Sequence, residues 1–198
     1  MKATNLLILL CTGFSLYMWE TQTNLAFSEY ALFHGGFYTL LTGILVHANI
    51  IHLAGNMLFL YIFGNSLEDE VGAQRTLAVF FTGGILSFIL SIPFYPGAEM
   101  LGASAAIFSV MATVLLVRQP EYSISFISLG PLALLFFIFN IESVGSGGNV
   151  AYISHIIGFV IGLFFGARWN EKWMKSLVFV VLLLVVYVIL YNYLKVWI

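Results

Sequence analysis

Charge is what this sequence has least of. Only 8% of its 198 residues are Asp, Glu, Lys or Arg, against about 25% in a soluble globular domain. With 61% of the chain hydrophobic, the solvent it is built for is lipid. The polar stretch that a second, soluble domain needs is also missing, so the sequence predicts one bundle of membrane spans joined by short connections. Seven basic and nine acidic residues, dispersed over many connections, make neither a nucleic-acid footprint nor a polybasic membrane patch, so nucleic acid is not an expected partner. The single cysteine, Cys11, excludes an internal disulfide and a cysteine-rich metal site.

A cleavable leader is not expected either. Lys2 precedes an apolar stretch from Leu6, but no small-x-small cleavage site follows, and Leu10 stands before Cys11 where a lipoprotein signal wants a small residue. The N-terminal stretch reads as an uncleaved first span.

What is present is a series of apolar runs separated by polar, Gly or Pro clusters. They predict about seven spans, near 3–19, 45–64, 74–92, 103–117, 122–140, 151–168 and 176–194. Pro131 interrupts the fifth, and Arg118-Gln119-Pro120-Glu121 marks its boundary with the fourth. If the chain alternates, Lys2, Arg75, Arg118, Arg168, Lys172 and Lys175 fall on one side and Lys195 on the other. Basic residues favour cytoplasmic connections, so the expected N-terminus is cytoplasmic and the C-terminus external. The external connections near 20–44, 93–102 and 141–150 then contain no Lys or Arg. The first of them is long and aromatic, with Gly35-Gly36, Phe27, Tyr30, Phe33 and Tyr38, and is expected to fold back into the external interface.

Polar side chains inside spans are costly and mark either a site or an interhelical bond. Here they are His47, His52, Asn56, Ser104 and His155. Span order and orientation put all five in one layer below the external surface, with His47, His52 and Asn56 expected in the outer half of the second span. His52 and Asn56 are four residues apart and share a helix face. The fourth span, Ser104 to Val117, covers about 21 Å of a core roughly 30 Å thick. Its start therefore lies below the surface, beside irregular backbone at 93–103 and, by expectation, a water-accessible cavity.

Each residue also has a plainer use. A serine at a helix start is ordinarily an N-cap, and an isolated intramembrane His or Asn ordinarily bonds a neighbouring helix. Their convergence in one layer favours chemistry. A serine hydroxyl needs a base to become a nucleophile, and His155 fits that role. The sole Asp, Asp69, with Glu68, Glu70 and Glu121, falls on the cytoplasmic side, while Glu99 and Glu142 lie in loops. A Ser-His dyad is thus the expected arrangement rather than a triad with a carboxylate. The backbone N–H of Ser104, with His52 and Asn56, would stabilise the oxyanion. Zinc held by intramembrane histidines fits less well, because no His-Glu-x-x-His run and no intraspan carboxylate is present. A channel or transporter is disfavoured by the absence of an internal repeat or a broken-helix pair. The stripe Gly158, Gly162, Gly166 reads as the surface on which the sixth span closes on a neighbour and brings His155 to Ser104.

These motifs resemble those of the rhomboid family of intramembrane serine proteases. His47-x4-His52-x3-Asn56, followed by Phe63-Gly64 and Glu68, is similar to that family's second span; Gly102-Ala103-Ser104-Ala105 resembles its Gly-x-Ser-Gly motif; His155-x2-Gly158-x3-Gly162 resembles its sixth span. The resemblance covers Leu6 to Trp169. It implies an all-α, polytopic transmembrane bundle with a six-span catalytic core over 1–170 and an additional C-terminal helix over 171–198. It further implies Ser104 and His155 as catalytic dyad, His52 and Asn56 as oxyanion ligands, and support from Gly102, His47, Phe108, Gly158 and Gly162. Transmembrane proteins would be the substrates and the lipid bilayer the surroundings, with no metal or cofactor. A prokaryotic cytoplasmic membrane is the expected location. The sequence departs from the family pattern at Ala105, usually Gly; at Ser154, where Ala is common; at Tyr38-Thr39, often Trp-Arg; and at Phe108, often Tyr. A relative without activity that binds membrane clients is the alternative, against which both Ser104 and His155 stand.

Overall fold

The computed structural model describes residues 1–117, 129–142 and 151–178, and isolated positions from 182 to 193. The chain folds as α1 (Ala3–Thr21), β1 (Phe27–Ser28), α2 (Glu29–Phe33), α3 (Thr39–Leu45), α4 (Ile50–Phe59), a π-helical turn (Leu60–Gly64), α5 (Asn65–Val71) and α6 (Ala73–Ser91). A 3-10 turn (Ile92–Phe94), β2 (Glu99–Met100), α7 (Ser104–Val117), α8 (Leu129–Glu142) and α9 (Tyr152–Trp169) follow. It is an all-α bundle, apart from a two-residue strand pairing. Among the described residues, Ile50–Val71, Ala73–Phe94 and Tyr152–Trp169 are long and apolar enough to cross a membrane, and α7 is a shorter apolar helix.

The centre of the bundle is α7. Eleven of its 14 residues are buried, as expected of a helix that is apolar all round. It packs against α6, α8 and α9. Small residues set these distances. A Cβ at Gly158 or Gly162 would collide with the carbonyl oxygens of Ala105 and Ser109, and one at Gly166 would lie 2.7 Å from Leu116 Cβ. Three glycines at four-residue spacing therefore lay the α9 backbone directly on α7. Thr113 Oγ1 donates across the same seam to the Gly162 carbonyl at 3.0 Å.

The second span differs from its sequence expectation. It runs Ile50–Val71 rather than 45–64, and the residues before it form the separate helix α3. Val46 and Asn49 are extended, and the Asn49 side chain accepts the His52 N–H, capping α4. His47 consequently sits in the break between α3 and α4, not on the helix with His52 and Asn56. At the far end the π turn carries the helix through Gly64 into the polar segment Asn65–Val71, which stops at Gly72 with φ +83°. The first, third, fourth and sixth helices lie close to the expected spans. The fifth is described over Leu129–Glu142, so 122–128 of its expected range, with Arg118–Glu121, lie outside the described residues. Most of 176–194, together with 143–150 and Lys195, is likewise outside them.

The long first connection folds back, as its composition predicts, into α2, α3 and β1. β1 pairs antiparallel with β2, setting Phe27 opposite Met100 and Ser28 opposite Glu99. The Gly102 N–H donates to the Gly43 carbonyl at 2.8 Å, so the first connection is stitched to the segment that leads into α7. At the opposite end of the bundle, Glu68 caps α1 from another helix. Its carboxylate accepts the Ala3 and Thr4 N–H groups and the Thr4 hydroxyl, each at 2.8 Å. Lys2 pairs with Asp69 at 2.7 Å beside it.

Candidate active site

Ser104 is the first residue of α7. The chain enters that helix through Gly102, whose φ of +116° lies where a side chain is strained. A Cβ there would also lie 2.8 Å from His52 Cε1 and 2.9 Å from its Nε2. Glycine is thus needed twice at this position: for the turn, and for the His52 ring to rest against the backbone two residues before Ser104. The Ala103 carbonyl accepts the Ile107 N–H at 2.9 Å and opens the helix. That leaves the Ser104 hydroxyl out of the cap, and it faces His155 instead.

His155 lies one turn into α9. Its Nε2 is 2.7 Å from Ser104 Oγ, and its ring is stacked on Phe108 at 4.8 Å and 12°. Phe108 is one turn after Ser104, so α7 presents the hydroxyl and the ring that steadies the imidazole on one face. His155 is 8% exposed, whereas Ser104 and His52 are half-buried. Ser154 turns its hydroxyl back to the Ala151 carbonyl at 2.7 Å, helping the α9 start. Gly158 faces the Ala105 carbonyl one turn further. Ala105 is itself buried in α7.

On the second span the Asn56 amide donates to the His52 carbonyl at 2.8 Å and is buried at the same end of the bundle. His47 belongs to the supporting structure. Its Nε2 accepts the Ala103 N–H at 3.3 Å, and its Nδ1 lies 3.1 Å from Ser15 Oγ. Trp19 Nε1 donates to the His47 carbonyl at 2.8 Å, and the His47 ring meets that of His52 edge-on at 5.1 Å. α1 thereby braces the backbone that carries Ser104.

One participant escapes the sequence argument. Asn140 of α8 is 3% exposed; its Oδ1 lies 2.6 Å from His155 Nδ1, and its Nδ2 donates to the Tyr152 carbonyl at 2.9 Å. It meets the criterion that singled out the other polar residues, a hydrogen-bonding side chain in an apolar run. Its position near the end of that run lets it pass for a loop residue. Ser15 and Trp19 are missed for a similar reason, since each is unremarkable until α1 is set against the α3–α4 break. The remaining histidine, His34, stacks on Tyr30 at 4.0 Å in the first connection. Glu99 is held by Asn24 at 2.6 Å, and Glu68 and Asp69 lie at the opposite end, so His155 has a hydroxyl on one ring nitrogen and an amide on the other.

A buried imidazole 2.7 Å from a serine hydroxyl at a helix N-terminus, within an apolar helical bundle, defines the class: a polytopic integral membrane protein with a hydroxyl–imidazole pair inside it. A family model described as Rhomboid domain matches residues 34–172, and the chain belongs to the rhomboid family. The rhomboid protease GluP of Bacillus subtilis is 32% identical over 146 residues, covering 71% of this chain and 28% of GluP. Rhomboid-like protein 11, chloroplastic, of Arabidopsis thaliana is 36% identical over 91 residues, 44% of this chain and 32% of that protein. Inactive rhomboid protein 1 of Drosophila melanogaster is 33% identical over 78 residues, 39% of this chain and 6% of that protein. The chain thus spans less than a third of the length of each of these relatives.

Proposed function

We propose that this protein is an intramembrane serine endopeptidase that hydrolyses peptide bonds in or near the transmembrane helices of other membrane proteins. The observation that carries the reading is the 2.7 Å contact between Ser104 Oγ and His155 Nε2. In the proposed reaction His155 Nε2 takes the hydroxyl proton as Ser104 Oγ attacks the scissile carbonyl carbon. Negative charge develops on the carbonyl oxygen, where His52, the Asn56 amide and the N-terminal N–H groups of α7 are suited to stabilise it. Collapse of the intermediate breaks the C–N bond, and the leaving amine takes the proton from His155. The Ser104 ester is then hydrolysed by water, with His155 again accepting and returning a proton. Ala105 adds a methyl beside the nucleophile and removes none of these groups.

The chain would be organised as a core over 1–170 with an additional helix over 171–198, its N-terminus in the cytoplasm and the site opening to the external side of a prokaryotic membrane. Because a helix hides its carbonyls, the substrate must unwind locally, and helix-weakening residues near the cut should favour cleavage. A client-binding role without hydrolysis is the second reading, favoured by the similarity to an inactive rhomboid protein.

The test is cleavage of transmembrane reporters by purified protein in detergent, comparing wild type, Ser104→Ala and His155→Ala, with and without a chelator. Cleavage lost in both variants and insensitive to chelation is expected. Cleavage that persists in Ser104→Ala, or that the chelator removes, overturns the serine mechanism. A wild type that binds the reporters and cuts none supports the second reading.

A further inference from the structure

A buried primary amide needs partners for its oxygen and its nitrogen, and in an apolar bundle it finds them in protein or not at all. Asn140 has both, and their identities fix which way it points. The Tyr152 carbonyl can only accept, so the Asn140 NH2 faces it, at 2.9 Å. The Asn140 Oδ1 is then the atom 2.6 Å from His155 Nδ1. Being a pure acceptor, it requires the proton of neutral His155 to reside on Nδ1. The Nε2 lone pair is left pointing at Ser104 Oγ, 2.7 Å away. With the opposite tautomer, two lone pairs would face each other at the Asn140 contact, and an N–H would be aimed at the serine.

We propose that Asn140 is the positioning residue of this site, a neutral amide that holds His155 in the tautomer and ring rotation that general-base chemistry requires. The inference rests on Ser104 and His155 being the reactive pair. Two restraints on the ring then divide the work. Phe108, stacked at 12°, sets its plane, and Asn140 sets its rotation within that plane. Tyr152 lies three residues before His155, so the amide's second hydrogen bond, from Nδ2 to the Tyr152 carbonyl, ties α8 to the α9 start that carries the imidazole. An amide does this without placing a formal charge in the bundle, where a buried carboxylate would be costly. It aligns the imidazolium formed during reaction but does not neutralise it.

The full-length protein in detergent, with wild type, Asn140→Leu and Asn140→Asp, decides the matter by two readouts. The first is the split between kcat and KM on a transmembrane reporter. Loss of the orienting partner of a catalytic histidine lowers kcat by up to about 10^4-fold in serine hydrolases. Asn140→Leu is accordingly expected to lose at least about 10^2-fold in kcat with KM within about threefold. Asn140→Asp, which keeps an acceptor for Nδ1–H, is expected to retain more activity than Asn140→Leu. The second readout does not depend on turnover: 15N spectra of histidine-labelled protein, with His155 assigned by comparison with His155→Ala. Wild type is expected to show a protonated Nδ1 and an unprotonated Nε2, and Asn140→Leu a loss of that preference. A wild type with the proton on Nε2 overturns the proposal. So does a tautomer that Asn140→Leu leaves unchanged, or an Asn140→Leu that retains kcat. A wild type with Nδ1 protonated that cuts no reporter counts against the protease reading alone, and spectra of Asn140→Asp and wild type suffice if Asn140→Leu does not fold.

Discussion

The two ends of the bundle satisfy their polar groups with different chemistry. At one end, formal charge does the work: Glu68 caps α1 through three 2.8 Å hydrogen bonds, and Lys2 pairs with Asp69. At the other, Ser104, His155 and Asn140 form one chain of hydroxyl, imidazole and amide contacts, and Ser15 and His47 form a separate pair. The first arrangement suits groups that water reaches, since the side chains of the Lys2–Asp69 pair are partly (Lys2) and mostly (Asp69) exposed. The second suits a buried site, where a fixed charge costs more than a satisfied neutral hydrogen bond. Under the proposed function, the difference separates residues that hold the bundle closed from residues that would move a proton.

Breaking the neutral end should show first in activity. Ser104→Ala is expected to lower reporter cleavage by at least about 10^3-fold while leaving the thermal unfolding midpoint in detergent within a few degrees of wild type. Equal losses of both would merge the two ends into one structural function. His52→Ala and Asn56→Ala should each reduce kcat by about 10^2- to 10^3-fold if each supplies an oxyanion donor. A rise in KM at unchanged kcat would assign them to substrate binding instead. Gly158→Val targets the seam rather than the chemistry. Its Cβ would meet the Ala105 carbonyl, and overpacking of this kind costs about 1–3 kcal/mol or more. Its unfolding midpoint should fall, with activity lost in step; a variant as stable as wild type would mean that α9 is not seated on α7 by that contact. The smallest effect is expected at the charged end. Lys2→Ala removes an ion pair whose side chains are 40% and 66% exposed, worth below about 1 kcal/mol at such exposure, and cleavage should be unchanged.

Much of this division is legible in the sequence, because hydrocarbon makes polar residues conspicuous. Ser104, His155, His52 and Asn56 stand out as polar side chains in apolar runs, and Gly158, Gly162 and Gly166 announce a close helix contact by their spacing. What is not legible depends on local backbone and on distant partners. The α3–α4 break at His47 leaves the apolar run uninterrupted and is made by the extended Val46 and the Asn49 cap. The π turn from Leu60 to Gly64 carries the second span past Gly64, where the apolar run ends. Asn140 is informative only once α8 is set beside α9, since nothing in its own neighbourhood names His155 as its partner.

The most direct test of the central claim is covalent labelling of the purified protein with a fluorophosphonate, which loses fluoride to an activated serine oxygen, followed by peptide mapping. The label is expected on Ser104, and His155→Ala, which removes the imidazole 2.7 Å from its hydroxyl, is expected to abolish it. Labelling of Ser104 that persists undiminished in His155→Ala, or a label carried by a different serine, would contradict it.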